Sequence, residues 1–177
     1  VETVDGMTAT VHIDADKTIT ATFAEGLGTL VGDVGVEFHD PDAPGFDVVV
    51  QLIQGGVPVF TDTVNLDANG VFTLTDVAAG TYNVRVKNAH TLAQREDNVA
   101  IAGGAVTNVA FDILWEGDAN NDNMINTTDF SAWRTVYVGG GYDAMADFNM
   151  DGVVNTTDFS IWRKNFLTGN KTGDPIA

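Results

Sequence analysis

Oxygen-bearing side chains recur at one fixed spacing in two stretches, Asp118–Asp129 and Asp147–Asp158. The first places Asp118, Asn120, Asp122, Asn126 and Asp129 at loop positions 1, 3, 5, 9 and 12, and the second places Asp147, Asn149, Asp151, Asn155 and Asp158 at the same positions. This is the spacing of a twelve-residue calcium loop. Calcium is a hard cation that takes about six to eight oxygens, and alternate side chains of a tightly turning loop converge on one point. Position 7 gives a backbone carbonyl, so Met124 and Val153 complete the two sets without a polar side chain. Position 6 needs a left-handed backbone, which Gly152 adopts freely and Asn123 adopts next best. Two calcium ions are the cofactors this pattern predicts, and the Gly at position 6 predicts that the second loop binds more tightly.

One Asp/Asn-rich stretch reads equally well as a polar turn. Here, shifting the sequence by 29 residues lays Asp118–Tyr137 over Asp147–Phe166 with eleven of twenty positions identical, the mark of a duplicated unit. A helix is expected after each loop. Phe130, Trp133, Val136 and Tyr137 fall on one face of the first, and Phe159, Trp162 and Phe166 on one face of the second, so the two stripes should pack into a small core. The opposite faces collect Thr127, Thr128, Ser131, Arg134 and Thr135, and then Thr156, Thr157, Ser160, Arg163 and Lys164. Position 8 is β-branched in both loops (Ile125, Val154), as expected where paired loops join through a short β-bridge.

These features closely resemble the dockerin family over about residues 117–166. Dockerins carry two calcium loops, each followed by one helix, with no helix entering the first loop. Here the preceding residues run Phe111-Asp112-Ile113-Leu114-Trp115-Glu116-Gly117, a strand pattern ending in Gly. Asp rather than Glu at position 12 also suits that family. The resemblance implies that Thr127, Thr128, Arg134 and Thr135, and equally Thr156, Thr157, Arg163 and Lys164, contact a cohesin-type partner domain. The near-identity of the two faces implies that the partner can use either one. The same residues also suit an ordinary solvated helix face; solvation alone, however, does not require the two faces to match.

The elements that position this unit lie upstream. Runs at Thr29–Phe38, Phe46–Ile53, Val57–Val64, Val71–Leu74, Tyr82–Val86 and Ala105–Leu114 are rich in β-formers and separated by turn signals, among them Asn69-Gly70 and Gly103-Gly104. Short strands at this spacing indicate a sandwich. The run from Asn69 to Tyr82 resembles the carboxypeptidase-regulatory or collagen-adhesin B-type sandwiches, in which a G-x-F…G-x-Y pattern carries two core strands. Some relatives in those families carry a Lys–Asn crosslink from an early strand. Thr29–Phe38 holds no Lys, and Lys87, late in its strand, is expected to face solvent. The fold class is therefore a mainly β sandwich of immunoglobulin-like or transthyretin-like type, followed by a small α-helical two-loop unit. The expected divisions are a β-hairpin closing an upstream domain at 1–25 (Thr8–Ile13 and Thr18–Phe23), the sandwich at 28–115, the paired-loop unit at 116–170 and a tail at 171–177.

Composition narrows the partners. Of 177 residues, 25 are acidic and 8 basic, a formal charge of −17 that repels nucleic acid and anionic membranes and attracts cations. There is no Cys, so disulfides and thiolate metal sites are excluded. No apolar run approaches membrane-span length. His12, His39 and His90 stand singly, without zinc or triad spacing. Gly26, Gly28 and Gly32 lead into a strand where a nucleotide loop requires a helix. The sequons at Asn126 and Asn155 coincide with expected ligands. The expectation is a non-enzymatic prokaryotic attachment segment, secreted or on the cell surface. Its alternatives are a calcium-stiffened structural clamp and a carbohydrate-binding accessory module.

Overall fold

A computed structural model describes residues 26–37, 45–169 and 172–176. The hairpin expected in residues 1–25 lies outside the described residues, as do His12 and His39. Among the described residues seven strands form two sheets: β1 (Leu27–Val36), β2 (Phe46–Gln54), β3 (Val57–Leu66), β4 (Val71–Ala78), β5 (Gly80–Lys87), β6 (Gln94–Ile101) and β7 (Val106–Leu114). One sheet has the order β4-β1-β7 and the other β3-β2-β5-β6. β1 runs antiparallel to β4 and parallel to β7. Six strands fall on the runs expected from sequence. β6 does not, because an edge strand carrying Arg95, Glu96, Asp97 and Asn98 shows no apolar alternation to detect.

Alternation builds the sandwich core. Phe46, Val48, Val50 and Leu52 of β2 point inward at every second position and meet Leu30, Phe72, Val84, Val86 and Leu114. Full burial of each such side chain stabilises by about 1.5–3 kcal/mol before chain entropy is subtracted. The Asn69–Tyr82 run performs as its pattern suggests: Phe72, Leu74, Val77 and Tyr82 are all buried, and the Tyr82 hydroxyl donates to the Ala78 carbonyl. Gly32 lies directly across from Phe72, whose ring fills the space a Cβ would need. The glycines of β1 thus serve sheet packing.

After β7 the chain turns through Trp115, Glu116 and Gly117 (φ 122°) straight into the first loop, with no entering helix. Two helices follow their loops, α1 (Thr127–Gly139) and α2 (Thr156–Thr168), and a 3-10 turn at Ala144–Ala146 precedes the second loop. Each helix ends on a left-handed Gly, Gly140 or Gly169. The aromatic stripes interlock as expected, with Phe130 at 5.8 Å from Phe159 and 5.1 Å from Trp162, and Trp133 at 5.3 Å from Phe159. Two details differ. Tyr137 is 44% exposed and stacks on Trp133 at the rim, since it sits at the open end of α1. No β-bridge joins Ile125 to Val154 among the described residues; their side chains are buried in the shared core, and the bridge runs instead from Met124 to Thr172 of the tail.

Candidate calcium loops and helix faces

Both loops fold around the same hydrogen-bond web. The position 1 carboxylate accepts the position 5 and position 6 amides, from Asp122 and Asn123 to Asp118 at 2.9 and 2.8 Å, and from Asp151 and Gly152 to Asp147 at 3.1 and 2.8 Å. The position 5 carboxylate takes the position 7 amide, from Met124 to Asp122 and from Val153 to Asp151, at 2.9 Å in each case. Position 6 is left-handed in both, Asn123 at φ 67° and Gly152 at φ 84°. The position 3 amides, Asn120 and Asn149, turn inward to Asp122 and Asp151. The Val153 carbonyl lies beside Asn155, whose Nδ2 donates to it.

Loop and helix are joined by positions 9 and 12. Asn126 and Asn155 are the N-caps, accepting from Thr128 N and Thr157 N, while Asp129 and Asp158 reach back to the cap amides at 2.7 and 2.8 Å. This capping box satisfies amides that the first helical turn would leave orphaned. It also pins the two position 12 carboxylates, both fully buried, at the floor of their loops.

In the first loop Asp118, Asp122 and Asp129 bring ligand oxygens within 4.8 Å of one another. The second loop holds Asp147, Asp151 and Asp158 in the same hydrogen-bond web. Burial foremost, then the charges of Asp118 and Asp122, push the Asp129 carboxyl above its ordinary range against two backbone hydrogen bonds. Asp158 is raised in the same way, by burial and by Asp147. Carboxylates crowded in this manner favour a cation, and an all-oxygen donor set suits calcium better than zinc or copper.

Sequence reasoning missed the contacts that fasten this unit to the sandwich. Lys87 does not face solvent. It leaves the outer face of β5, as strand alternation requires, but the first loop and the tail roof that face. Its ammonium donates to Asp118 at 2.9 Å and to Asn121 at 2.7 Å. Asn123 does more than tolerate its backbone, since its side chain accepts from Ala93 N and donates to the Asp174 carbonyl. Buried Asn165 of α2 donates to Glu37 and to the Glu116 carbonyl, and Lys164 reaches Glu37 at 2.6 Å while lying over the Trp115 ring. His90 and fully buried Glu116 form a 2.5 Å pair. Burial pushes the Glu116 carboxyl up to about 7, while the Glu116 charge and hydrogen bond outweigh burial at His90 and hold the imidazole above its usual value. No motif marks such residues, because each contact depends on how two separate units come together.

The helix faces remain open. Thr127, Thr128, Arg134 and Thr135 of α1 are exposed, as are Thr156, Thr157, Arg163 and Lys164 of α2. The two faces are not equivalent: Lys164 and its neighbour Asn165 are engaged by Glu37, whereas among the described residues no carboxylate of the sandwich engages Thr135 or Val136, the matching positions of α1.

The tail forms a strap. Thr172 bridges Met124, Gly173 N donates to the Asn123 carbonyl, and Asp174 N to that of Ala93. Asp174 and Pro175 in turn accept from Arg85 and Arg95. At about 0.5–1.5 kcal/mol per hydrogen bond, the strap contributes several kcal/mol. Removing residues 170–177 is expected to lower Tm by about 10 °C in calcium, at about 2–4 °C per kcal/mol for a chain of this size. Differential scanning calorimetry checks this, and a shift under about 2 °C would show that the strap carries no load.

No family model matches the chain, and no curated protein matches it. Among solved structures it is similar to chains in two mutants of a type II cohesin–X-dockerin complex from Acetivibrio cellulolyticus. The N-terminal interface mutant gives a TM-score of 0.58 at 25% identity, covering 77% of this chain and 94% of that one. The C-terminal interface mutant gives 0.60 at the same identity and coverage. The chain shares its mainly β architecture with a component of such complexes. Among the described residues no helix is long and apolar enough to cross a membrane.

Proposed function

We propose that this chain is a non-catalytic, extracellular attachment segment in which a β-sandwich carries a calcium-dependent dockerin-type module that docks onto a cohesin-type domain. The observation that carries the reading is the duplicated loop-and-helix unit: two complete oxygen-ligand loops, one shared hydrogen-bond web, and two exposed faces of hydroxyls and cations. The likeness to the cohesin–X-dockerin complexes supports it. A match over 77% of the chain reaches past residue 115, since residues 1–115 make up under two thirds of it, and so takes in part of the paired-loop unit.

A second reading has its own support. The contacts of Lys87, Glu37, Asn165 and the strap suit a calcium-stiffened clamp within one chain. The two readings differ in a binding experiment with the immobilised chain, probed with type II cohesin domains and with dockerin domains, in calcium and in chelator. Capture of a cohesin in calcium alone supports attachment. Capture of neither supports the clamp, and capture of a dockerin places the chain on the opposite side of such a complex.

A further inference from the structure

We infer that Lys87 makes the two calcium loops unequal: its ammonium, fixed against Asp118, weakens the first site, so that Asp147–Asp158 fills first. The inference rests on reading both loops as calcium sites and concerns what the sandwich does to one of them. Lys87 sits at the end of β5 and is buried. Its Nζ donates to Asp118 Oδ2 and Asn121 Oδ1 in the loop, at 2.9 and 2.7 Å, and to the carbonyls of Asn88 and Ala89 in its own unit, at 3.1 and 3.5 Å. Acceptors from both units hold the ammonium.

Asp118 is the position 1 ligand, and the ammonium rests on one oxygen of that carboxylate. Calcium taken up by that carboxylate would share it with the ammonium. Repulsion between a double and a single positive charge about 5 Å apart weakens binding by about tenfold even in a solvent-like dielectric, and by more where water is excluded. Among the described residues no ammonium is seated on a ligand of the second loop as Lys87 is on Asp118, and the imidazole of His90, which acts on Asp147 through space, is paired with Glu116. Asp147 meets the neutral hydroxyl of Tyr142 instead. The close approach of Asp118, Asp122 and Asp129 fits the same account, because a resident cation offsets the repulsion among three carboxylates. Calcium entering this loop competes with that cation. The Asn123-for-Gly152 difference adds little, since the bonds from Asn123 to Ala93 and Asp174 offset its backbone cost.

The test uses the full chain with one loop disabled, and calorimetric calcium titration. D151A leaves the first loop and D122A the second; the D151A chain is expected to bind about tenfold or more weakly. Adding K87Q to D151A should recover about tenfold, and K87R, which keeps the charge, should not. K87Q in the D122A chain should leave calcium affinity unchanged, which also shows that the variant folds. Affinity in the D151A chain that is unchanged or lowered by K87Q overturns the inference, as does equal tightening by K87R. If neither single-loop chain binds calcium, the calcium reading of the loops falls, and the inference falls with it.

Discussion

Excess chelator is expected to remove most of the helical circular dichroism of this chain while its β signal persists. Without calcium three carboxylates per loop repel one another, offset by the Lys87 ammonium in the first loop alone, and the position 1 and position 12 carboxylates of both loops are buried. The helical core rests on a few side chains, chiefly Ile125, Trp133, Phe148, Ile161 and Trp162, and a unit this small has a marginal core. Calcium at a hundred times the dissociation constant of the second site adds about 2.7 kcal/mol there and about 1.4 kcal/mol at a tenfold weaker first site, so the two supply about 4 kcal/mol by mass action. That is on the order of the whole stability of a small domain. The sandwich has its own larger core and no loop ligand of this kind within it. Leu92, the His90–Glu116 pair and the strap tie the helices to the sandwich and will leave some residual order, so the loss should be large but incomplete. A helical signal that survives chelation unchanged would mean that these ties, and not calcium, hold the unit.

The loops were legible in the sequence because their chemistry is local. Position 1 to position 12 spans twelve residues, and backbone turning brings those side chains together whatever surrounds them. The same holds for the sandwich strands with one buried face, such as β2, where burial every second residue imprints a pattern. β6 left no imprint because its side chains face solvent on an edge. Lys87, Glu37 and Asn165 were illegible for a different reason. Lys87 alternates outward as its strand dictates, and only the docking of a separate unit turns that outward face into an interior. Asn165 occupies the repeat position held by Val136 in α1, so its polarity marks a broken symmetry, but nothing local says which group it meets.

That broken symmetry decides how the helix faces should behave toward a cohesin-type partner. Near-identical sequences suggest that either face can serve, so that disabling one leaves the other to substitute. All four threonines, Thr127, Thr128, Thr156 and Thr157, are exposed, in keeping with that expectation. Yet the α2 face is encumbered. Lys164 is held by Glu37 at 2.6 Å and lies over Trp115, and adjacent Asn165 is locked beneath it. A partner approaching α2 must break that ion pair or dock without a lysine already neutralised, and must fit beside the sandwich. A partner approaching α1 meets an exposed Arg134 that no carboxylate among the described residues pairs with. Replacing Thr127 and Thr128 together with Glu is therefore expected to weaken calcium-dependent binding by about a hundredfold, or about 3 kcal/mol, through clash and uncompensated charge in a desolvated contact. The same change at Thr156 and Thr157 should cost less than about tenfold, and changing all four should abolish binding. Surface plasmon resonance against a cohesin that binds the unmodified chain reads all three. Equal, small losses from the two double variants would restore the symmetric picture, with Lys164 released from Glu37 on binding. A larger loss from the Thr156–Thr157 pair would mean that the partner reads the junction of α2 and the sandwich together, with Glu37 and Trp115 part of the surface it recognises.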